Sequence, residues 1–260
     1  VVDAAMTGWP TLKALFPAAP LFGQVIGGMS AVQLYMWFGH GGGNELAARC
    51  IESLKDVVHV SLNRAAIPEI WIHSNKSLTG PADIRGLRMR CYGDSGEVLA
   101  KMGASTVFLP GGEVYEAMQR GVIDAFEYSS AYTNYKMGFH ETSKYAYLSP
   151  VRAPTDSNTL FANKASWEKL TPGLQELVKQ AAMKRSLANF GDEMMIDQEY
   201  LQKMRDFGVK VLPLPSSIDE ALLKAAAEFY DKMSAGDPFY AEVVQSQRKF
   251  VKICESVGLR

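Results

Sequence analysis

The sequence predicts an α/β protein of two lobes. Three observations carry that expectation: a β-α-β-α-β alternation between residues 85 and 130, one unusually long helical pattern, and a helical tail behind it. The chain has 260 residues. At ~150 residues per domain that is one large domain or two small ones. A chain of this size buries roughly 73% of its unfolded surface, which supports real cores without disulfide or metal staples.

Residues 1–48 are rich in aromatics, glycine and proline, which break them into short pieces. Ser30 reads as the N-cap of a helix to about Phe38, and Gly41-Gly42-Gly43 ends it. A second helix spans about Glu45 to Leu54, and strands follow at Val57–Leu62 and Ile70–His73. The glycine triplet lacks the Gly-Lys-Ser/Thr ending of a phosphate loop and reads as a turn between helices.

In the central alternation, strands are expected at Leu87–Cys91, Ser105–Leu109 and Val122–Glu127. Short helices at Gly96–Met102 and from Pro110 to Arg120 connect them. Right-handed crossovers make such strands parallel, and ligands bind beyond the carboxyl ends of parallel strands. The residues leaving those ends are Arg90-Cys91, Pro110-Gly111 and Glu127-Tyr128.

From Thr171 as N-cap, a helical pattern runs through Pro172 to about Phe207. Leu174, Leu177, Val178, Ala181, Phe190, Met194, Leu201 and Met204 mark one face. Unbroken, its roughly 35 residues span about 52 Å, whereas a lobe of ~130 residues is only about 36 Å across. Such a helix would brace both lobes. The alternative is a break near Gly191. Val209–Leu212 then reads as a strand. Ser217-Ile218-Asp219-Glu220 reads as a capping box opening a helix to Gly236, and Asp237-Pro238 caps a last helix to about Ser256.

Lys and Arg total 27 against 28 Asp and Glu, a formal charge of −1. That balance argues against a nucleic-acid partner or an anionic membrane surface. No run reaches the ~18 apolar residues of a membrane span. Cys50, Cys91 and Cys254 cannot all pair and have no Cys-x-x-Cys spacing, so neither a disulfide framework nor a structural zinc site is expected. His40, His59, His73 and His140 form no metal-ligand pair, and there is no nucleophile turn.

Arg90 stands out. An arginine closing an apolar strand at the ligand edge of a sheet offers a fixed fork that matches a carboxylate. The competing reading is a structural salt bridge, to Glu127 or Glu69. The helix amides after Pro110 face the same edge and also suit an anion.

These residues resemble a known family. Asp83-Ile84-Arg85-Gly86-Leu87-Arg88-Met89-Arg90 is similar to a motif of the solute-binding proteins of tripartite ATP-independent periplasmic (TRAP) transporters. The runs Gly96–Ala104, Leu109–Tyr115 and Gly121–Tyr128 resemble the branch of that family that binds 2-oxo acids and lactate, with weaker similarity at His40–Gly43 and Ala162–Lys164. The resemblance implies a periplasmic receptor of two lobes that closes on a small organic acid and docks on the subunits of a membrane transporter. It also implies an opening βαβ segment that this sequence does not show. Lobe I is then expected from residues 1–67 and 156–195, and lobe II from 68–155 and 196–260.

By the same resemblance, Arg90 clamps the ligand carboxylate. Glu127, the Tyr128 carbonyl and Glu69 stand where the branch holds a sodium or calcium ion bridging protein and ligand. Three departures bear on that ion: Tyr128 replaces Trp, Glu69 replaces Gln, and a further Glu is lost near Arg152-Ala153. Arg152 beside Glu69 and Glu127 could neutralise them as a cation would and could itself touch the ligand, unless it lies on a solvated loop. Trp9, Tyr128 and Tyr132, with Trp71 and His73, are candidates for the cleft wall. Two rival readings remain at this point. One is an α/β enzyme acting on a carboxylic acid with Glu127 or Glu69 as general base. The other is a sensory receptor of the same fold.

Overall fold

The computed structural model describes residues 2–259 and contains two sheets. The first has three strands in the order β1-β8-β2, formed by Ala4–Gly8, Ser157–Asn163 and Val57–Ala65 and antiparallel throughout. The second has six strands in the order β5-β4-β6-β3-β7-β9. These are Ser105–Val107, Arg88–Arg90, Ala125–Phe126, Ile70–Ser74, Tyr145–Leu148 and Lys210–Pro213. Each sheet centres one lobe.

Strand β4 runs parallel to both β5 and β6, as the crossover rule requires. Helices α3 (Ser95–Lys101) and α4 (Gly111–Gln119) make the two crossovers. The strands are shorter than the sequence suggested, the third being only Ala125–Phe126; Asp124 just before it bonds Arg88 through its amide, at 2.7 Å to the carbonyl, and through its carboxylate, at 2.8 Å and 3.0 Å to the guanidinium. Helices α5 (Ala131–Lys136) and α6 (Phe139–Thr142) follow the sheet edge, and α7 (Lys164–Trp167) follows β8.

Helix α1 (Ala31–His40) has the expected Ser30 cap, reinforced by Gln33 as a reciprocal capping box. Helix α2 is Gly43–Cys50. The long helix α8 (Pro172–Phe207) is unbroken at Gly191 over its 36 residues, about 54 Å at 1.5 Å per residue. Its grip on the lobes is apolar through Met183, Phe190, Leu201 and Met204, and polar at two points. Glu193 accepts from Arg64 of β2 at 2.6 Å, and Asp197 accepts from the amides of Ala131 and Tyr132 that open α5. The expected apolar face holds in part: Phe190, Leu201 and Met204 pack into the cores, whereas Leu174, Leu177 and Met194 are exposed and Ala182, Ser186 and Asp197 are buried.

A further expectation is corrected. Helix α9 (Ser216–Gly236) has Pro215 at its N-cap, so Ser217 lies inside the helix and the expected capping box does not form. Helix α10 (Pro238–Ser256), capped by Asp237 as expected, lies along α9 and also reaches the first lobe. Trp37 donates to Ser246, Gln247 donates to the Leu21 carbonyl, and Arg49 pairs with Glu242.

The lobes are joined by α8 and by two crossing segments, residues 66–69 and 149–156. These segments bond to each other: Ala66 N donates to the Asp156 carbonyl at 2.8 Å, and the Thr155 hydroxyl donates to the Ala66 carbonyl at 2.7 Å.

Two histidines lie in the cores and make stability pH-dependent. His59 is packed among Trp9, Phe38 and Phe161. His73 stacks on Phe126 at 4.8 Å. Asn134 accepts from the Ser129 amide through Oδ1 and donates to His73 Nε2, which fixes the His73 proton on Nδ1, toward Ser143. Burial pushes both imidazoles down to about 3. The unfolded chain takes up protons below pH ~6.5 that the folded chain refuses until about pH 3, so stability falls as pH drops through that window. Each histidine contributes at most about 1.4 kcal/mol per pH unit. Urea titrations of His59→Phe against wild type should show a shallower acid slope in the variant. Equal slopes would contradict the assignment.

Candidate functional site

Arg90 ends β4 in register with Phe126 of β6 and Val107 of β5. The sheet therefore delivers its side chain to the common carboxyl edge of three parallel strands. There Nε donates to the Leu109 carbonyl at 3.0 Å and Nη1 to the Glu127 carbonyl at 2.6 Å. Tyr92, Phe108 and Tyr128 surround the guanidinium with ring centroids at 5.6, 5.6 and 5.4 Å. Arg90 is 5% exposed, yet among the described residues it forms no ion pair, and Nη2 has no hydrogen-bond partner. Burial accordingly pushes its pKa down. The structural salt bridge to Glu127 or Glu69 is thus not made: Glu127 meets Arg90 through its carbonyl, not its carboxylate.

Those two carboxylates go instead to Arg152. Its Nη2 lies 2.5 Å from Glu127 Oε1, and its Nη1 pairs with Glu69 Oε2. All three side chains are essentially sealed from solvent. Glu69 and Arg152 belong to the two crossing segments, and Glu127 follows β6, so this buried triad fastens the sheet edge to the connection between lobes. Arg152 is not on a solvated loop. Burial pushes the Glu69 carboxyl up, with Arg152 pulling it the other way and Asp156 and Glu127 adding to the rise.

Glu127 is unevenly used. Its Oε1 accepts from the Tyr92 amide at 2.6 Å, from the Ser95 hydroxyl and from Arg152, whereas its buried Oε2 has no partner. Tyr92 and Ser95 were not singled out from the sequence, and neither was Phe108. The signal for Tyr92 and Ser95 was position, since both follow Arg90 within one turn. The signal for Phe108 was a large apolar residue near the carboxyl end of an expected strand; in the structure it stays 61% exposed.

Tyr128 joins the site, and its ring explains a glycine. A Cβ on Gly111 would lie 2.3 Å from the Tyr128 hydroxyl oxygen. The start of α4 is therefore covered by a tyrosine rather than open to an anion, which corrects that expectation. Trp9 and Tyr132 do not join it. Trp9 is fully buried against Phe22 and Phe161 with its indole N–H on Thr159, leaving nothing to present to a ligand. Tyr132 packs on Tyr200 and lines a separate cleft with Arg64 and Arg185. Trp71 and His73 are core residues.

A cleft of about 650 Å³ lies between Pro10, Thr11 and Lys13 of the first lobe and Tyr92, Gly96 and Phe108 of the second. The Tyr92 and Phe108 rings that contact Arg90 form part of its wall. Lys13 bridges its two sides by pairing with Asp94 at 2.8 Å.

Residues 69–237 match the model of the DctP family, the bacterial extracellular solute-binding proteins of family 7. The chain belongs to this family. It is a solute-binding family rather than an enzyme family. A monocarboxylate 2-oxoacid-binding periplasmic protein of Nostoc sp. is 26% identical over 236 residues, covering 91% of this chain and 64% of that protein. The chain thus spans about two thirds of the length of that curated relative. Among solved structures, a TRAP periplasmic solute-binding protein from Colwellia psychrerythraea with bound calcium and pyruvate superposes with a TM-score of 0.91 at 25% identity. It is covered over 77% of its length by 98% of this chain. The counterpart from Pseudoalteromonas atlantica, with bound sodium and pyruvate, gives 0.90 at 24% identity with the same coverage. The two-lobed α/β architecture expected from the sequence is that of these proteins.

The cations in those structures call for a test against the residues present here. Among the described residues no group of three or more His, Cys, Asp or Glu side chains is arranged to hold a metal ion. Glu69 and Glu127, the two carboxylates that resemblance assigns to a cation, are both bonded to the Arg152 guanidinium. In this arrangement a metal ion between them would sit against a fixed positive charge. The triad does not fit a bound cation.

Proposed function

We propose that this protein is the periplasmic receptor of a TRAP transporter and captures a small organic acid, a 2-oxo or 2-hydroxy monocarboxylate. The observation that carries the reading is Arg90: a guanidinium withdrawn from water, held by two carbonyls, ringed by aromatics and lacking an anion. Leaving a buried charge uncompensated is costly, and a ligand carboxylate is the group that compensates it. The anchoring bonds from Leu109 and Glu127 fix the fork before the ligand arrives, which reduces the entropy lost on binding. Tyr92, Phe108 and Tyr128 provide the dry surroundings in which that charge pair is strong.

Capture, rather than catalysis, is the expected mechanism. Glu69 is committed to Arg152 and Glu127 spends Oε1 on its protein partners, leaving only Oε2 to meet a ligand. Closure of the lobes about the crossing segments would exclude water from the acid, and the closed form would dock on the membrane subunits. No helix among the described residues is long and apolar enough to cross a membrane.

A panel of small organic acids tests the reading by thermal denaturation. At a hundredfold excess over Kd a true ligand stabilises by about 2.7 kcal/mol, several degrees in Tm for a protein of this size. The stabilising acid should also be recovered unchanged after long incubation. An acid that is converted would replace the receptor reading by an enzymatic one.

A further inference from the structure

The unused oxygen of Glu127 distinguishes between acids. Its carboxylate is 0% exposed and receives three donors, all on Oε1, while Oε2 receives none. A buried carboxylate oxygen without a donor is uncommon and costly, and a group arriving beside it is selected for its ability to donate. The same residue's carbonyl holds Arg90 Nη1 at 2.6 Å, so this carboxylate and the anion-seeking guanidinium belong to one residue-scale neighbourhood.

The charges nearby disfavour one obvious occupant. The guanidiniums of Arg152 and Arg90 already bring two fixed positive charges to this neighbourhood. A metal at Oε2 would share its carboxylate with Arg152, already 2.5 Å from Oε1.

We propose that Arg152 is a built-in cation at this site, and that Glu127 Oε2 selects an acid with a hydrogen-bond donor on the carbon next to its carboxylate, a 2-hydroxy or 2-amino acid in preference to a 2-oxo acid, bound without a metal ion. The proposal rests on the reading that Arg90 anchors an organic acid. With the carboxylate on Arg90, a hydroxyl or ammonium on the adjacent carbon donates to Oε2. The carbonyl of a 2-oxo acid offers only lone pairs and faces an anionic oxygen. A hydrogen bond to a charged group is the difference between them, about ten- to a hundredfold in Kd.

The experiment is calorimetry on the full-length wild-type protein, stripped with chelator in sodium-free buffer. Two matched sets are titrated: pyruvate, lactate and alanine, then 4-methyl-2-oxopentanoate with its hydroxy and amino counterparts. Each is repeated with added calcium and with added sodium. The expected result is that a hydroxy or amino acid binds at least about tenfold tighter than its oxo partner, with the same affinity in all three ionic conditions. The hydroxy and amino arms tell which donor is used. An oxo acid binding as tightly as both partners, or binding that appears only on adding metal, overturns the proposal while leaving the Arg90 anchor intact. If no acid of either set binds in any condition, the anchor fails too and both readings fall. Glu127→Gln, provided it folds, should narrow the discrimination because its amide can donate to an oxo group.

Discussion

Replacing Arg90 by alanine is expected to abolish most ligand affinity while leaving a folded protein. The loss should be about 2–5 kcal/mol, roughly 30-fold to several-thousandfold in Kd, because the ligand carboxylate is then buried without its partner. The opposite sign is expected for the empty protein's electrostatics. Arg90 has no ion pair among the described residues, and burial disfavours its charge, so removing it relieves a cost as well as vacating space. A structural arginine behaves differently, since its loss strands a buried carboxylate. Dissociation of binding from stability is therefore the signature of a ligand anchor. It is read by comparing calorimetric Kd with the urea midpoint for the same variant.

Arg152→Ala should show the reverse pattern in stability. It leaves Glu69 and Glu127 buried, close together and without their shared cation, a class of change that costs about 3–5 kcal/mol. For a chain of this length that is roughly 6–20 °C in Tm. One of the two carboxyls is then expected to take up a proton, and Glu69 is the candidate, because burial already pushes it up with Arg152 in place. Adding Glu69→Gln to Arg152→Ala should accordingly recover part of the loss. The two substitutions share a contact and are not additive. Strictly additive effects in the double variant would show that the triad is not a unit.

Much of this architecture was legible in the residues. The central β-α-β-α-β unit follows from short apolar runs punctuated by glycines, and Gly103 and Gly121 take the positive φ their turns require. The parallel register then placed Arg90 and the start of Glu127 at one edge. Helix caps at Ser30, Thr171 and Asp237 were readable because capping is local chemistry. The capping box at Ser217 is lost because the helix starts earlier, with Pro215 at its N-cap. What else failed was non-local. The face assigned to the long helix held only at Phe190, Leu201 and Met204, because polar contacts share the burial, Glu193 and Asp197 each reaching a different lobe. Trp9 and Tyr132 could not be separated from true site residues by type alone, since aromatic side chains serve cores and clefts alike. Arg152 was singled out by resemblance and charge. Its sealed position between two carboxylates depends on the crossing segments meeting, which spacing cannot reveal.

The central claim is that the Arg90 guanidinium holds the ligand's carboxylate. Its most direct test is calorimetric titration of the tightest-binding acid against wild type, Arg90→Lys and Arg90→Ala. A graded series is expected: lysine retains charge but loses the fork and binds more weakly, and alanine loses at least about 30-fold. Equal affinities across the three proteins would place the carboxylate elsewhere and contradict the account.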